Sequence, residues 1–149
     1  VYRSVTGGSM APVLKTIRTL FEAGVTTEVT TLIIPGLTDE PESFDPILKS
    51  LRAISTEIPW HLSAFYPTHR MTERPPTPFD TLTELRQRAL AGGMRYVYTG
   101  NVLNPEGSST TCPECGATLI TRYRLSLTEN RMNGNQCPEC GAKVYGTFC

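Results

Sequence analysis

Apolar residues recur along this chain with two periods, about 3.6 residues in some stretches and about 2 in others. Residues 12–23 read as a helix. Pro12 suits its first turn, Val13, Ile17, Leu20 and then Phe21 or Gly24 recur at helical spacing, and Gly24 offers a stop. Thr26 to Ile34 is rich in β-branched residues, closes on Leu32-Ile33-Ile34 and is ended by Pro35-Gly36, the pattern of a buried strand. A second helix follows, with Thr38 or Asp39 as cap and Pro41 in its first turn. Phe44, Ile47, Leu48, Leu51 and Ile54 form its apolar stripe. Pro59 opens a second strand, Trp60 to Tyr66, which Pro67 closes, and Pro75, Pro76 and Pro78 stiffen a loop over 68–79. A third helix is expected from Thr81, where Thr81-Leu82-Thr83-Glu84 has the form of a capping box. Leu82, Leu85 and Ala89 face inward, Gly92-Gly93 ends the helix, and a short strand runs from Arg95 to Thr99.

Helices alternating with strands about 30 residues apart are the rhythm of βαβ units and a parallel sheet. Three such strands, apolar enough to want cover on both faces, make a poor domain by themselves. The fold expected is therefore α/β. Residues 1–103 would be the second half of a larger (β/α) barrel, and residues 104–149 a small zinc ribbon with four cysteine ligands. In barrels, functional residues sit at the C-terminal ends of strands. Here those ends are 34–39 and 65–70.

Composition narrows the function classes. The chain has 149 residues and a formal net charge of zero. Residues 1–100 hold 10 Lys/Arg and 10 Asp/Glu, and residues 101–149 hold 4 and 4, so neither part is a basic patch and nucleic acid is not an expected partner. No apolar run has the ~18 residues of a membrane span. Cysteine usage and the lack of a targeting segment predict a cytoplasmic protein. The chain begins Val1-Tyr2-Arg3 rather than with Met, which suggests a fragment or a processed chain.

The sharpest chemical signal is a duplicated knuckle. Cys112-Pro113-Glu114-Cys115-Gly116-Ala117 returns as Cys137-Pro138-Glu139-Cys140-Gly141-Ala142, with 21 residues between Cys115 and Cys137. Four thiolates on two such turns can close a tetrahedron around one ion, usually zinc. The Gly after each pair permits a tight turn that aims amide N–H groups at sulfur. A rubredoxin-like iron site uses the same turns, and a disulfide framework is the third reading. Cys149, outside both knuckles, reads as a free terminal thiol.

Single residues carry less. His61 lies on the strand face shared with Ser63 and Phe65, either aimed at a ligand or held as a hydrogen-bonded core histidine. His69 and Arg70 could read an anionic substrate or belong to a solvated loop. Gly7-Gly8 is too short for a phosphate-binding signature and reads as a helix-initiating turn, and a capping role accounts for Asp39.

Taken in order, a set of segments resembles the C-terminal part of the radical S-adenosylmethionine enzymes of the AmmeMemoRadiSam system, relatives of the pyruvate formate-lyase activating enzymes. These are Tyr2-Arg3 with Thr6-Gly7-Gly8; residues 29–37; Pro59-Trp60-His61 with Phe65; residues 71–78; Tyr96 to Val102; and the ribbon with Asn130 between its knuckles. They span nearly the whole chain. The resemblance implies a [4Fe–4S] cluster that cleaves S-adenosylmethionine reductively to a 5′-deoxyadenosyl radical, with an electron donor and an unknown substrate, a protein among the candidates. The family's cluster loop, C-x-x-x-C-x-x-C, has no counterpart here, since no Cys precedes Cys112. No catalytic residue is carried over, and the chain alone is expected to be inactive. The resemblance also implies a cofactor surface, with Thr31, Ile33 and Pro35 near the adenosine and Ser63, Phe65 and Tyr66 as adenine wall; strand alternation adds His61, aimed toward cofactor or substrate. Tyr66 stands where many relatives have His, and Thr147-Phe148-Cys149 where a Trp is expected. The alternatives to an enzyme part are a zinc-ribbon docking module for a protein partner and an iron-holding electron-transfer module.

Overall fold

The computed structural model describes residues 5–124 and 126–147. Tyr2, Arg3, Phe148 and Cys149 lie outside the described residues. Helix α1 spans Met10–Glu22. Ile17 is buried, with the half-buried Leu14 and Phe21 packed beside it against the core, while Val13 and Leu20 stay at the surface. Both sets share one helical spacing, so periodicity alone does not say which of them the core takes up. Gly24, at φ 74°, stops the helix as expected. The amides of Gly24 and Val25 turn back to the carbonyls of Phe21 and Leu20.

Strands β1 (Val29–Ile33), β2 (Trp60–Ala64) and β3 (Val97–Gly100) form a parallel sheet in the order β1-β2-β3. Val29 pairs with Trp60, and Trp60 with Val97. Helices α2 (Pro41–Arg52) and α3 (Phe79–Ala91) cross over between them. All three helices cover one face. Ile17, Phe44, Leu51, Leu82, Leu85 and Ala89 pack with Ile33, Trp60, Leu62, Ala64 and Val97 in a single core. Trp60 stacks on Phe44 at 4.9 Å between centroids, and its indole N–H donates to Thr31 Oγ1 at 2.9 Å.

The expected half-barrel does not form. The described residues make two separate three-stranded sheets and four helices, and no sheet closes. The reason lies in β2, where Trp60, Leu62 and Ala64 are buried and His61 and Ser63 only half-buried. One face is apolar and takes a single helix layer. The other mixes His61 and Ser63 with an exposed Leu32 and the Tyr98 ring, so it is not continuously apolar and the strands do not demand apolar cover on both sides.

The capping predictions also change. The Asp39 carboxylate accepts from the Gly36 amide at 2.7 Å, and the Thr38 hydroxyl accepts from the Ile34 amide and donates to the Leu32 carbonyl. Both shape the turn after β1, and neither caps α2. Helix α3 starts two residues before Thr81, so Thr81 to Glu84 lie inside it and form no capping box.

The second sheet follows a four-residue helix, α4 (Pro105–Ser108). It is antiparallel in the order β4 (Thr110–Thr111), β5 (Thr118–Tyr123), β6 (Ser126–Asn130). Its core contains Cys112, Leu119, Ile120, Cys137 and Val144, together with Tyr96 and Tyr98 from the first sheet and its approach. The two sheets therefore share a hydrophobic cluster. Among the described residues, no helix is long and apolar enough to cross a membrane.

Candidate metal centre and the adjoining groove

The two knuckles repeat one backbone geometry. Cys112 N–H donates to Ala117 O at 2.8 Å and Gly116 N–H to Cys112 O at 2.9 Å. Cys137 N–H donates to Ala142 O and Gly141 N–H to Cys137 O, both at 2.9 Å. Each turn needs a left-handed residue after its second Cys, and Gly116 (φ 76°) and Gly141 (φ 73°) supply it. The turns face each other, with Cys112 Sγ 3.6 Å from Cys140 Sγ and Cys115 Sγ 3.7 Å from Cys137 Sγ. All four sulfurs lie within 4.8 Å of one another. They are free thiols, far beyond the ~2.05 Å of a disulfide.

This group can hold a metal ion. Burial pushes the Cys112 thiol up, but the amides of Cys115 and Glu114 and the thiols of Cys115 and Cys140 outweigh it and bring the group down to about 7. The Cys140 thiol is helped toward ionisation by the Ala142 amide. Burial and the three neighbouring sulfurs oppose this and push it up to about 12. One thiolate forms easily and the last resists, because four negative sulfurs at this spacing repel. A cation among them removes that conflict, and a tetrahedron of four sulfurs suits zinc or iron.

The two knuckles are anchored at the N-terminal ends of the parallel strands. Arg95, just before β3, pairs with Glu57 at 2.8 Å and with Glu114, which sits inside the first knuckle. Tyr145 N–H donates to the Tyr96 hydroxyl at 3.2 Å, and the Tyr145 hydroxyl accepts from Thr27 N–H at 3.1 Å. The Tyr145 ring stacks on Phe21 of α1. None of these partners is near another in sequence, so no local signal announced them.

The residues expected to form a cofactor surface divide between three places. Thr31 and Ile33 lie on the helix-covered side of β1, where Thr31 holds the Trp60 indole and Ile33 is fully buried. His61 and Ser63 lie on the polar face. Pro35, Phe65 and Tyr66 lie beyond the C-terminal ends of β1 and β2. There the loop before α3 folds back over the sheet: Arg74 donates to Pro35 O, and Thr77 is inserted between the strands. The Thr77 hydroxyl accepts from Phe65 N–H at 2.7 Å and donates to Ile33 O, and Thr77 N–H donates to Phe65 O at 3.0 Å. Thr77 thus extends the β1–β2 ladder with a side chain. Tyr66 is exposed, with its hydroxyl on Asn101 O at 3.0 Å. His69 and Arg70 stand on an exposed turn closed by the Thr68–Met71 pairing.

A groove of about 870 Å³ runs between the polar face of the sheet and the ribbon. His61 lines it, with Nε2 2.9 Å from Glu28 Oε2 and its ring stacked on Tyr98 at 5.1 Å. The Tyr98 hydroxyl meets Thr110 Oγ1 at 3.0 Å, and Arg122 donates to Thr110 Oγ1 and Ser108 O. Burial pushes the Tyr98 phenol up, so it stays protonated at neutral pH. His61 is therefore hydrogen-bonded and still reaches the groove. Glu28, Tyr98 and Arg122 were not singled out from the sequence.

No family profile and no solved structure matches the chain. Over 123 residues, 82% of the chain, it is 41% identical to an uncharacterized protein of Methanocaldococcus jannaschii. The chain spans just over a third, 37%, of that protein's length.

Proposed function

We propose that this chain is the zinc-stapled part of a radical S-adenosylmethionine enzyme. In this reading a zinc ion on Cys112, Cys115, Cys137 and Cys140 fixes the ribbon against the parallel sheet. The observation that carries the zinc is the convergence of four free sulfurs within 4.8 Å on two matched turns. Support for the enzyme reading comes from the ordered resemblance along the chain, with polar and aromatic groups (His61, Ser63, Tyr66) at the uncovered side and the strand ends. The relative's greater length leaves room for cluster-binding cysteines outside the shared stretch.

The four cysteines do not suit the [4Fe–4S] cluster, because their sulfurs all lie within 4.8 Å of one another, the compass of a single ion. In this reading the cluster would be held by residues outside this chain, and bound S-adenosylmethionine would supply hydrogen-atom abstraction there. Residues of this chain bind and orient: Tyr66 offers a ring, His61 a hydrogen bond backed by Glu28, and Thr77 and Arg74 hold the strand ends in place. An electron donor and a substrate complete the system. The test is anaerobic reconstitution of the longer protein with iron and sulfide, then reduction with S-adenosylmethionine. Release of 5′-deoxyadenosine alongside one retained zinc supports the proposal, and a fully reconstituted protein that releases none overturns it.

A second reading has its own observation. Every residue of β6 is exposed, and Tyr123 and Leu127 project apolar side chains from the β5–β6 hairpin. Such a hairpin suits docking of a protein partner. Leu127→Ser would then abolish partner binding while leaving the zinc in place.

A further inference from the structure

We propose that the groove between sheet and ribbon binds a small aromatic anion, a flat ring carrying a carboxylate or phosphate group. The inference does not depend on the radical-enzyme reading. Its first basis is charge. The chain as a whole is neutral, yet Arg122 and Arg124 both line this groove and, among the described residues, neither is paired with a carboxylate. Glu28 is the groove's one acidic side chain among the described residues, and it is already engaged by His61 at 2.9 Å. Arg122 is half-buried and oriented by Ser108 O and Thr110 Oγ1, so one guanidinium is fixed before any ligand arrives.

The second basis is the ring surface. Tyr66 and Tyr123 line the same groove and are each more than half exposed, at 55% and 56%. The Arg124 guanidinium lies 6.0 Å from the Tyr123 ring centroid, so cation and ring stand side by side. A large ring left open beside such a guanidinium suits a ligand that is flat at one end and anionic at the other. Backbone conformation is the third. Three described non-glycine residues have positive φ, and two of them, Asn101 (60°) and Arg124 (56°), line this groove. Asn tolerates that region, but Arg does so at a cost that Gly would remove. Arg at 124 places a cation on the groove rim in spite of that cost.

The test titrates the zinc-loaded chain with phenyl phosphate, benzoate, phenol and inorganic phosphate, following backbone amides by NMR. Saturable shifts at Gly100, Asn101 and Tyr123 with phenyl phosphate or benzoate are expected. Phenol and inorganic phosphate should bind at least about tenfold more weakly, since each lacks one of the two contacts. The tighter of the two anions assigns phosphate or carboxylate. Arg124→Gly, which suits the backbone there, should weaken the anion about tenfold and reduce its salt dependence. Tyr123→Ser should weaken phenyl phosphate but not inorganic phosphate, and Arg18→Ala on α1 should change nothing. Equal binding of phenol, unaltered affinity in Arg124→Gly, or no saturable shift with either anion would overturn the proposal.

Discussion

Replacing Thr77 by Val tests how the strand ends are held. The side chains are nearly isosteric, so the change removes a hydroxyl and keeps the volume. In the structure that hydroxyl is buried, accepts from Phe65 N–H at 2.7 Å and donates to Ile33 O. The variant leaves a donor on β2's end and an acceptor on β1's end without their partner, in a place water does not reach. Each orphaned group costs about 1–3 kcal/mol, partly recovered if the two groups draw together, so the net loss should be about 2–4 kcal/mol. For a chain of this size that lowers Tm by roughly 5–15 °C. Thr77→Ser keeps the hydroxyl and loses one buried methyl, a loss of about 1 kcal/mol. Urea denaturation of the three zinc-loaded proteins, followed by Trp60 fluorescence, measures both differences. A Val variant within about 0.5 kcal/mol of the parent, or a Ser variant as damaged as the Val one, would refute the clamp.

Further predictions concern the junction with the ribbon. Gly107→Ala should destabilise by about 1–3 kcal/mol, because its new methyl would collide with Thr99 Oγ1 and lie 2.6 Å from Asn104 Nδ2, whose side chain is held by the Gly107 amide; thermal melts check this. Glu114→Gln should cost less than about 1 kcal/mol, since the Arg95–Glu114 pair is partly exposed, and the loss should vanish in about 1 M salt. Stripping the metal with a strong chelator should abolish hydrogen-exchange protection in β5 while the β2 amides keep theirs, because a unit this small lacks the core to fold without metal.

Much of the architecture could be read before any coordinates. Strong periodic signals placed α2, α3 and the three parallel strands, since the burial of Phe44, Leu51, Leu82, Leu85 and Ala89 is encoded within each segment. The knuckles were legible for a related reason: each carries its two ligands and its left-handed glycine within five residues, and the repeat reveals the pairing. What escaped was long-range or competitive. The half-barrel was inferred from rhythm, but rhythm does not report that His61 and Ser63 put polar groups on the second face of β2. Thr38, Asp39 and Thr81 have the chemistry of caps, and other geometry claimed them. Thr77 lies 44 residues from Ile33, and Arg95 lies 38 from Glu57 and 19 from Glu114, so no local pattern marks these contacts. The cofactor residues taken from the resemblance followed strand ends, which is why Thr31 and Ile33, adjacent in pattern to exposed positions, turn out to face the helix layer.

The central claim is that Cys112, Cys115, Cys137 and Cys140 together hold zinc and so fix the ribbon to the sheet. Elemental analysis of the purified chain, joined to X-ray absorption at the metal edge, tests it most directly. The account predicts one zinc per chain with four sulfur neighbours at about 2.3 Å and no visible absorption band. Stoichiometric iron at the same sulfurs, or a metal-free chain with these thiols oxidised to disulfides, would contradict it.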